Sequence, residues 1–469
     1  MTLSDTVALV RSRKASAREV TVATLARIER LDPQLKCYIT VAADAAMTDA
    51  DALDAKQRRG EPLGLLHGVP IAIKDTIETA RIRTTYGSPL YAQNVPAEDQ
   101  LCVERLRVAG AIIIGKTNTP EFAIGAHTWT TFVGACRNPH NTQKTPGGSS
   151  GGSAAAAAAG LCAGAVGSDF GGSLRIPASF SGIVAFRTCP GRVPQYPKLS
   201  AWDTLNVNGP MTRTVRDAAL MLAVMAGPDD RDPTSITEPG DAFLPSPVPL
   251  PMRGLRVAWS SDLGSCPVQK SVLQVCQRAA ARLEDLSWTV EETHPDISGV
   301  AEVWNRLRAF LILHTHRRHV LEHGDRLNPH LVWNVEQYAG LSAFEVGLAE
   351  QQRAKLYHRM REFLARYDLL ITPAVSVEPW DAGVPFPKEV DGIPVVNYYD
   401  WAKLSWTFSV TGFPALSLPC GKTGSGMPVG LQIIGPYRGE RRVLAAAQAI
   451  EEELALDLRP PAPYGVSAS

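Results

Sequence analysis

Residues 145–160 read TPGGSSGGSAAAAAAG, four glycines and three serines set in front of six consecutive alanines. Glycine loses more conformational freedom on folding than any other residue, and alanine is the best helix former. A chain that joins the two needs close backbone approach beside hydroxyl groups, with a helix starting at once. Three readings fit such a run: a phosphate cradle, a nucleophile turn and a flexible linker. A phosphate-binding P-loop places GK[ST] after its glycines, whereas here Lys144 precedes them and alanines follow. The immediate helix speaks against a linker. Gly147-Gly148-Ser149-Ser150-Gly151 has the GxSxG form of a nucleophile elbow. That motif has meaning only between a strand and a helix. The preceding NPHNTQKTP carries two prolines and no apolar run.

A second cluster, GSDFGGSLRIP at 167–177, places Ser173 after another glycine pair. Backbone N–H groups of Phe170, Gly171 and Gly172 can converge there, as stabilisation of a tetrahedral oxyanion requires. A nucleophilic serine also needs a base, and no histidine occurs between His140 and His294. Lys74, at the end of the apolar run GVPIAIK, is the alternative. Burial disfavours the ammonium form. Lowering its pKa from about 10.4 to about 7 costs about 4–5 kcal/mol, so the site must be well buried. A snorkelling lysine at a strand end satisfies the same spacing.

The chain has 469 residues, 45% of them hydrophobic, enough for a large core. Lys plus Arg and Asp plus Glu are both 47, a balance that argues against a nucleic-acid or acidic-membrane surface. The N-terminus does not read as a signal peptide. The run from Ala154 to Gly167 is too short and too rich in Ala and Gly to span a bilayer. Eight scattered cysteines without a CxxC pair read as buried free thiols. These features place the expected protein in the cytoplasm.

Ser16-Ala17-Arg18-Glu19 is a capping box that opens a helix. Short apolar runs then alternate with helical patterns: strands at 68–74, 111–114, 163–169 and 182–186, and a helix over TVRDAALMLAVMAG ended by Gly227. A Pro- and acid-rich connector, Pro228 to Pro251, is expected to cross the surface. Strand and helix patterns resume at LRVAWS and VLQVCQRAAARLEDL, residues 300–367 read as helical, and DLLITPAV, PALSLP and VGLQIIG read as buried strands. This alternation predicts an α/β sheet with helices on its faces.

GVPIAIKDTI, GKTNTPEFA, NPHNTQKTPGGSSGGSAAAAAAG, GSDFGGSLRIPASFSGIVAFRTCPGRVP, GPMTRTVRDAALML and GMPVGLQIIGP stand in the order found in the amidase signature family. The chain resembles that family from about Gly64 onward. The resemblance implies a large mixed β-sheet core covered by helices on both faces. It implies one domain over 1–469, a signature core at 64–227 carrying the catalytic residues, and a helical elaboration at 300–367 that shapes the substrate pocket. It also implies a Ser-cisSer-Lys triad: Ser173 acylated, Ser149 held by a cis peptide and relaying protons, Lys74 as base, and residues 170–173 as the oxyanion hole. Neither cofactor nor metal is implied. The expected partner is a small-molecule carboxylic amide, with anilides, carbamates and esters sharing the chemistry, no nucleic acid and no membrane, and self-association left open. Two alternatives remain: the A subunit of a tRNA-dependent amidotransferase, and a non-catalytic binding homologue. RIPA at 175–178 stands where that subunit typically has RQPA.

The chain departs from the family pattern at Phe170, at TARIR (79–83), and at His127 and Trp129. His127, Trp129, Trp401 and Trp406 are candidate substrate contacts, with Phe170, Trp304, Trp333 and the 398–408 segment as further walls. Rich in aromatics, these walls suit an apolar or aryl group better than an acidic one. Asp169 and Arg175 are expected to hold the turn around Ser173. His316, His319 and His323 have metal-like spacing on one helix face, but with no accompanying HExxH or cysteine they read as a wet surface.

Overall fold

The computed structural model describes residues 1–245 and 250–464. Eleven strands form one sheet: β1 Tyr38–Val41, β2 Val69–Lys74, β3 Ala111–Thr117, β4 Gly164–Asp169, β5 Val184–Arg187, β6 Val207–Thr212, β7 Arg256–Trp259, β8 Thr289–Glu292, β9 Leu369–Pro373, β10 Ala415–Lys422 and β11 Pro428–Ile434. The spatial order is β1-β3-β2-β4-β6-β5-β10-β11-β9-β7-β8. Strands β3, β2 and β4 run parallel, as do β9, β7 and β8, and antiparallel pairs join the two groups through β6, β5, β10 and β11. The sheet is mixed, and its central strands are buried throughout.

Alternating side chains feed two separate cores, as the pleat requires. Ile71, Ile73, Ile113, Val166, Val184 and Phe186 pack on one face. Ala72, Ile112, Ile114, Ala165, Ala185 and Met211 pack on the other. This second face receives the alanine helix Gly151–Ala158 and the helix Ala17–Leu35. The predicted capping box is present, with Ser16 Oγ accepting from Glu19 N–H at 3.0 Å and Glu19 Oε2 accepting from Ser16 N–H at 2.8 Å.

Every residue of the alanine helix is buried, which explains its composition: only small side chains let it lie this close to the sheet. Ser153 Oγ shares a 2.7 Å hydrogen bond with Thr117 Oγ1 of β3. A Cβ on Gly152 would lie 2.5 Å from the backbone N and O of Asn118, so glycine is demanded there by contact with a neighbouring main chain.

The helical region resolves into Val300–His323, Pro329–Gln337 and Ala343–Phe363. The connector after Pro228 differs from its surface reading. Ile236 and Phe243 are buried, and Arg192 lies over the Phe243 ring at 5.3 Å, so two apolar anchors pin a segment that its prolines and acids mark as exposed. Residues 246–249 of that connector lie outside the described residues. The strands β1, β6 and β8 carry no apolar run distinctive enough to be read in advance. No helix among the described residues is long and apolar enough to cross a membrane.

Gly152→Ala is expected to destabilise the protein by about 2–3 kcal/mol, because the added methyl meets backbone that cannot move aside. Gly347→Ala, at an exposed position in the second turn of Ala343–Phe363 with nothing within 4 Å of its new Cβ, should stabilise by up to about 1 kcal/mol. Urea denaturation of the two variants checks the contrast.

Candidate active site

The parallel strands β2 and β4 end on the same edge of the sheet, bringing Lys74 and Asp169 to neighbouring positions. Crevices beyond the carboxyl ends of parallel strands are where α/β proteins place their ligands. Lys74 is fully buried. Its Nζ donates to Ser149 Oγ at 2.7 Å and to Ser168 Oγ at 2.9 Å. Burial drives its pKa down to about 7, against an opposing pull from the Asp169 charge. Lys116, the other buried lysine in this part of the sheet, has different partners. Its Nζ donates to Thr79 Oγ1 at 2.7 Å and to the Ile77 carbonyl, and burial lowers its pKa to about 8.

Ser149 lies in the loop before the alanine helix, and the Gly148–Ser149 peptide is cis. Thr128 staples this loop: its Oγ1 donates to the Gly147 carbonyl at 2.9 Å and accepts from Gly151 N–H at 3.1 Å. Ser150 clamps it to β4, donating from Oγ to the Ser168 carbonyl at 3.1 Å and accepting from Ser168 N–H at 3.3 Å. Ser150 N–H also donates to the Ser173 carbonyl at 3.2 Å, so the two serine clusters are tied through main chain. No hydrogen bond joins the Ser149 and Ser173 hydroxyls among the described residues.

Asp169 organises the turn that carries Ser173. It accepts from Gly172 N–H at 2.8 Å, from Leu174 N–H at 3.1 Å, and from Arg175 Nε and Nη2, each at 3.0 Å. Arg187 adds a contact at 3.3 Å and a second to the Asp169 carbonyl. Burial alone would raise this carboxyl's pKa, but the two guanidiniums hold it far below the usual range. Arg175 reaches onward to Gln432 of β11 and Ser409. The structural role expected of Asp169 and Arg175 is what the contacts describe.

One expected oxyanion donor is already used. The Gly172 N–H is given to Asp169, whereas those of Gly171 and Ser173 make no hydrogen bond among the described residues. Gly172 itself has φ +109°, and a Cβ there would lie 2.6 Å from Ser405 Cβ, so the turn admits only glycine.

Ser173 lines a cavity of about 60 Å³ with Phe170, Trp304, Arg308, Tyr399 and Trp406. Trp304 and Trp406 stack at 5.3 Å. A larger cavity of about 720 Å³ shares Ile124, Gly125 and Tyr398 with it and is lined by His127 and Trp129. Thus Trp406 borders the Ser173 cavity, and His127 and Trp129 border the larger one. Trp401 borders neither: it is buried between Phe180 and Trp380, its Nε1 donating to the Tyr398 carbonyl at 3.0 Å. Tyr398, Tyr399 and Ala402 around it all line the Ser173 cavity, and an aromatic run does not reveal which residue faces which way.

His127 shares a 3.0 Å hydrogen bond with Thr145 Oγ1, and burial beside Arg137 and His330 drives its pKa down to about 4. The face with His316 and His319 is not wet. Phe122 stacks on His319 at 5.3 Å and lies 4.6 Å from His316, and Tyr91 OH bonds His319 Nε2 at 3.1 Å. No group of three or more metal-ligating side chains occurs among the described residues. All eight cysteines are free and buried. Sequence reasoning did not single out Ser150, Ser168, Thr128 or Arg308; Ser150 and Ser168 lay within quoted motifs, while Thr128 and Arg308 carried no signal.

The sequence profile of the Amidase family matches residues 19–444, and the chain belongs to that family, the amidase signature enzymes. It is 32% identical over 455 residues to an acylamidase of Rhodococcus erythropolis, covering 96% of this chain and 95% of the relative. It is 34% identical to the A subunit of the glutamyl-tRNA(Gln) amidotransferase of Moorella thermoacetica, covering 98% of this chain and 97% of that relative. A solved bacterial aryl acylamidase of the amidase signature family superposes with a TM-score of 0.91 at 28% identity, covering 97% of this chain and 96% of that one. The chain is an amide-hydrolysing enzyme.

Asp169→Asn keeps the shape and removes the charge, leaving Arg175 and Arg187 buried without their anion. A loss of about 3–5 kcal/mol is expected, read from the urea midpoint of the variant against the parent.

Proposed function

We propose that the chain hydrolyses carboxylic amides with an aryl or apolar group through an acyl-enzyme on Ser173. The observation that carries this reading is the fully buried Lys74, with its Nζ 2.7 Å from Ser149 Oγ and 2.9 Å from Ser168 Oγ. An amine held near neutrality by burial has a lone pair to offer. Giving one N–H to Ser168 aims that lone pair at Ser149, so the Ser149 contact runs from hydroxyl to amine when Lys74 is neutral.

Ser173 Oγ attacks the amide carbon and gives its proton through Ser149 to Lys74. The N–H groups of Phe170, Gly171 and Ser173 face the oxygen as it becomes an anion. When the intermediate collapses, the relay returns the proton to the leaving amine, and the C–N bond breaks. Water then adds to the ester carbonyl, the same groups take and return its proton, and the acid leaves. The 300–367 helices contribute Trp304 and Arg308 to the lining of the Ser173 cavity, which supports reading that region as the part that shapes the pocket. The aromatic lining by Phe170, Trp304 and Trp406 supports an aryl or apolar group over a small hydrophilic one. Acetamide and malonamate are expected to have lower kcat/KM than aryl or medium-chain amides, by about tenfold or more per well-filled methylene pair.

Ser173→Ala should fold and form no acyl adduct with a labile amide, seen by mass spectrometry of the intact protein. An adduct on that variant places the nucleophile elsewhere, and hydrolysis by the purified chain alone separates an amidase from a subunit that needs a partner. Because Lys74 acts as a neutral amine, kcat/KM should rise with pH through about 7 and level off above it. A profile flat from acid to alkaline pH rules out the lysine base.

A further inference from the structure

The two cavities carry basic side chains and no acidic ones. Among the described residues, no aspartate or glutamate lines either of them. Lys36 and Arg137 line the larger cavity. They arrive on adjoining segments, the Arg137 N–H donating to the Leu35 carbonyl at 2.8 Å. Neither side chain makes an ion pair or hydrogen bond among the described residues, although nearly every other partly buried arginine here does.

The same sign extends inward. Arg308, almost fully buried in the wall of the Ser173 cavity, has neutral hydrogen-bond partners, with the Asp400 carboxylate acting on it from farther off: its Nη1 donates to Asn334 Oδ1 at 2.6 Å, its Nη2 donates to Tyr398 OH, and it stacks 4.3 Å from the Tyr399 ring centre. Trp304 Nε1 in that wall is a buried donor with no partner. The permanently charged groups acting on the two histidines of the larger cavity are also basic: Arg137 on His127, Arg308 and Lys388 on His330. In a chain of zero formal net charge, this is a local excess. Low-dielectric walls of one sign focus the field and concentrate ligands of the other, and a guanidinium matches a carboxylate in shape as well as charge.

We infer that the substrate carries a carboxylate remote from its scissile amide, and that Arg137 and Lys36 receive it in the larger cavity while the amide lies against Ser173. This rests on the amide-hydrolysis reading of Ser173. It makes the substrate amphiphilic, with an aryl or aliphatic body against Phe170, Trp304 and Trp406 and an anionic end toward the larger cavity.

The test compares butyranilide, which is neutral, with two relatives: the mono-anilide of glutaric acid, bearing its carboxylate on the acyl side, and 3-butyramidobenzoate, bearing it on the amine side. At low salt at least one of the charged amides should exceed butyranilide in kcat/KM by about tenfold, and the advantage should shrink as salt screens it. In the Lys36→Gln, Arg137→Gln double variant the ratio of charged to neutral kcat/KM should fall by about tenfold. Which charged amide wins tells whether the acyl or the amine portion enters the larger cavity. Calorimetric binding of the same three amides to Ser173→Ala protein reads the preference without turnover. If the charged amides bind more tightly there but no amide acylates wild-type Ser173, the catalytic reading fails and the carboxylate site stands. If butyranilide is turned over and bound at least as well as both charged amides, the carboxylate site is overturned. It is equally overturned if a charged-substrate preference survives unchanged in the double variant.

Discussion

The buried Asp169 carboxylate is the contact from which the rest of the site takes its position. It sits at the end of β4, accepts the N–H groups of Gly172 and Leu174, and is gripped by Arg175 and Arg187. Burying one negative charge with two positive ones is unfavourable unless every remaining donor and acceptor is met. Arg175 meets its share of that demand by reaching Ser405, Ser409 and Gln432, and in doing so links the turn to β11 and to the helix Lys403–Thr411, whereas Arg187 Nε is left without a partner. The position of Ser173 is therefore fixed by strands far apart in sequence. A turn of this composition left to itself, with two adjacent glycines, would have no preferred shape.

The fold was legible where one physical signal dominated. Apolar runs of strand length gave β2, β3, β4, β5, β7, β9, β10 and β11, and capping chemistry gave the first long helix. Strands β1 and β8 were missed because they are short and only partly buried, and β6 because VNGPMT holds a glycine and a proline that discourage a strand reading. The connector after Pro228 misled in the other direction, its buried anchors being two residues in a polar setting. Local composition carries no record of contacts made at long range.

Within the site, residue identity was legible and geometry was not. The pairing of Lys74 with Ser149 came from a motif; the spacing alone left a snorkelling lysine as an equal reading. Lys116 makes the difference concrete. It is just as buried as Lys74, yet its acceptors are a carbonyl and a threonine rather than a serine on a glycine loop. Which hydroxyl lies within reach separates the two lysines, and burial does not. The same holds for Trp401 and Trp406, five residues apart, one in the core and one at a cavity wall. Arg137 resembled any other arginine until its lack of a partner became visible in three dimensions.

The alanine helix has a mechanical consequence. Alanine has no rotatable side-chain bond, so its burial freezes no rotamers, and a surface built from it has a single arrangement. A support of leucines or methionines under the Ser149 loop would repack as it warmed or as ligands pressed on it, since such side chains have alternative wells. Along the alanine helix there is nothing to repack. The helix that continues the Ser149 loop therefore lies at one fixed height on the sheet, while the loop itself touches β4 directly through Ser150 and Ser168.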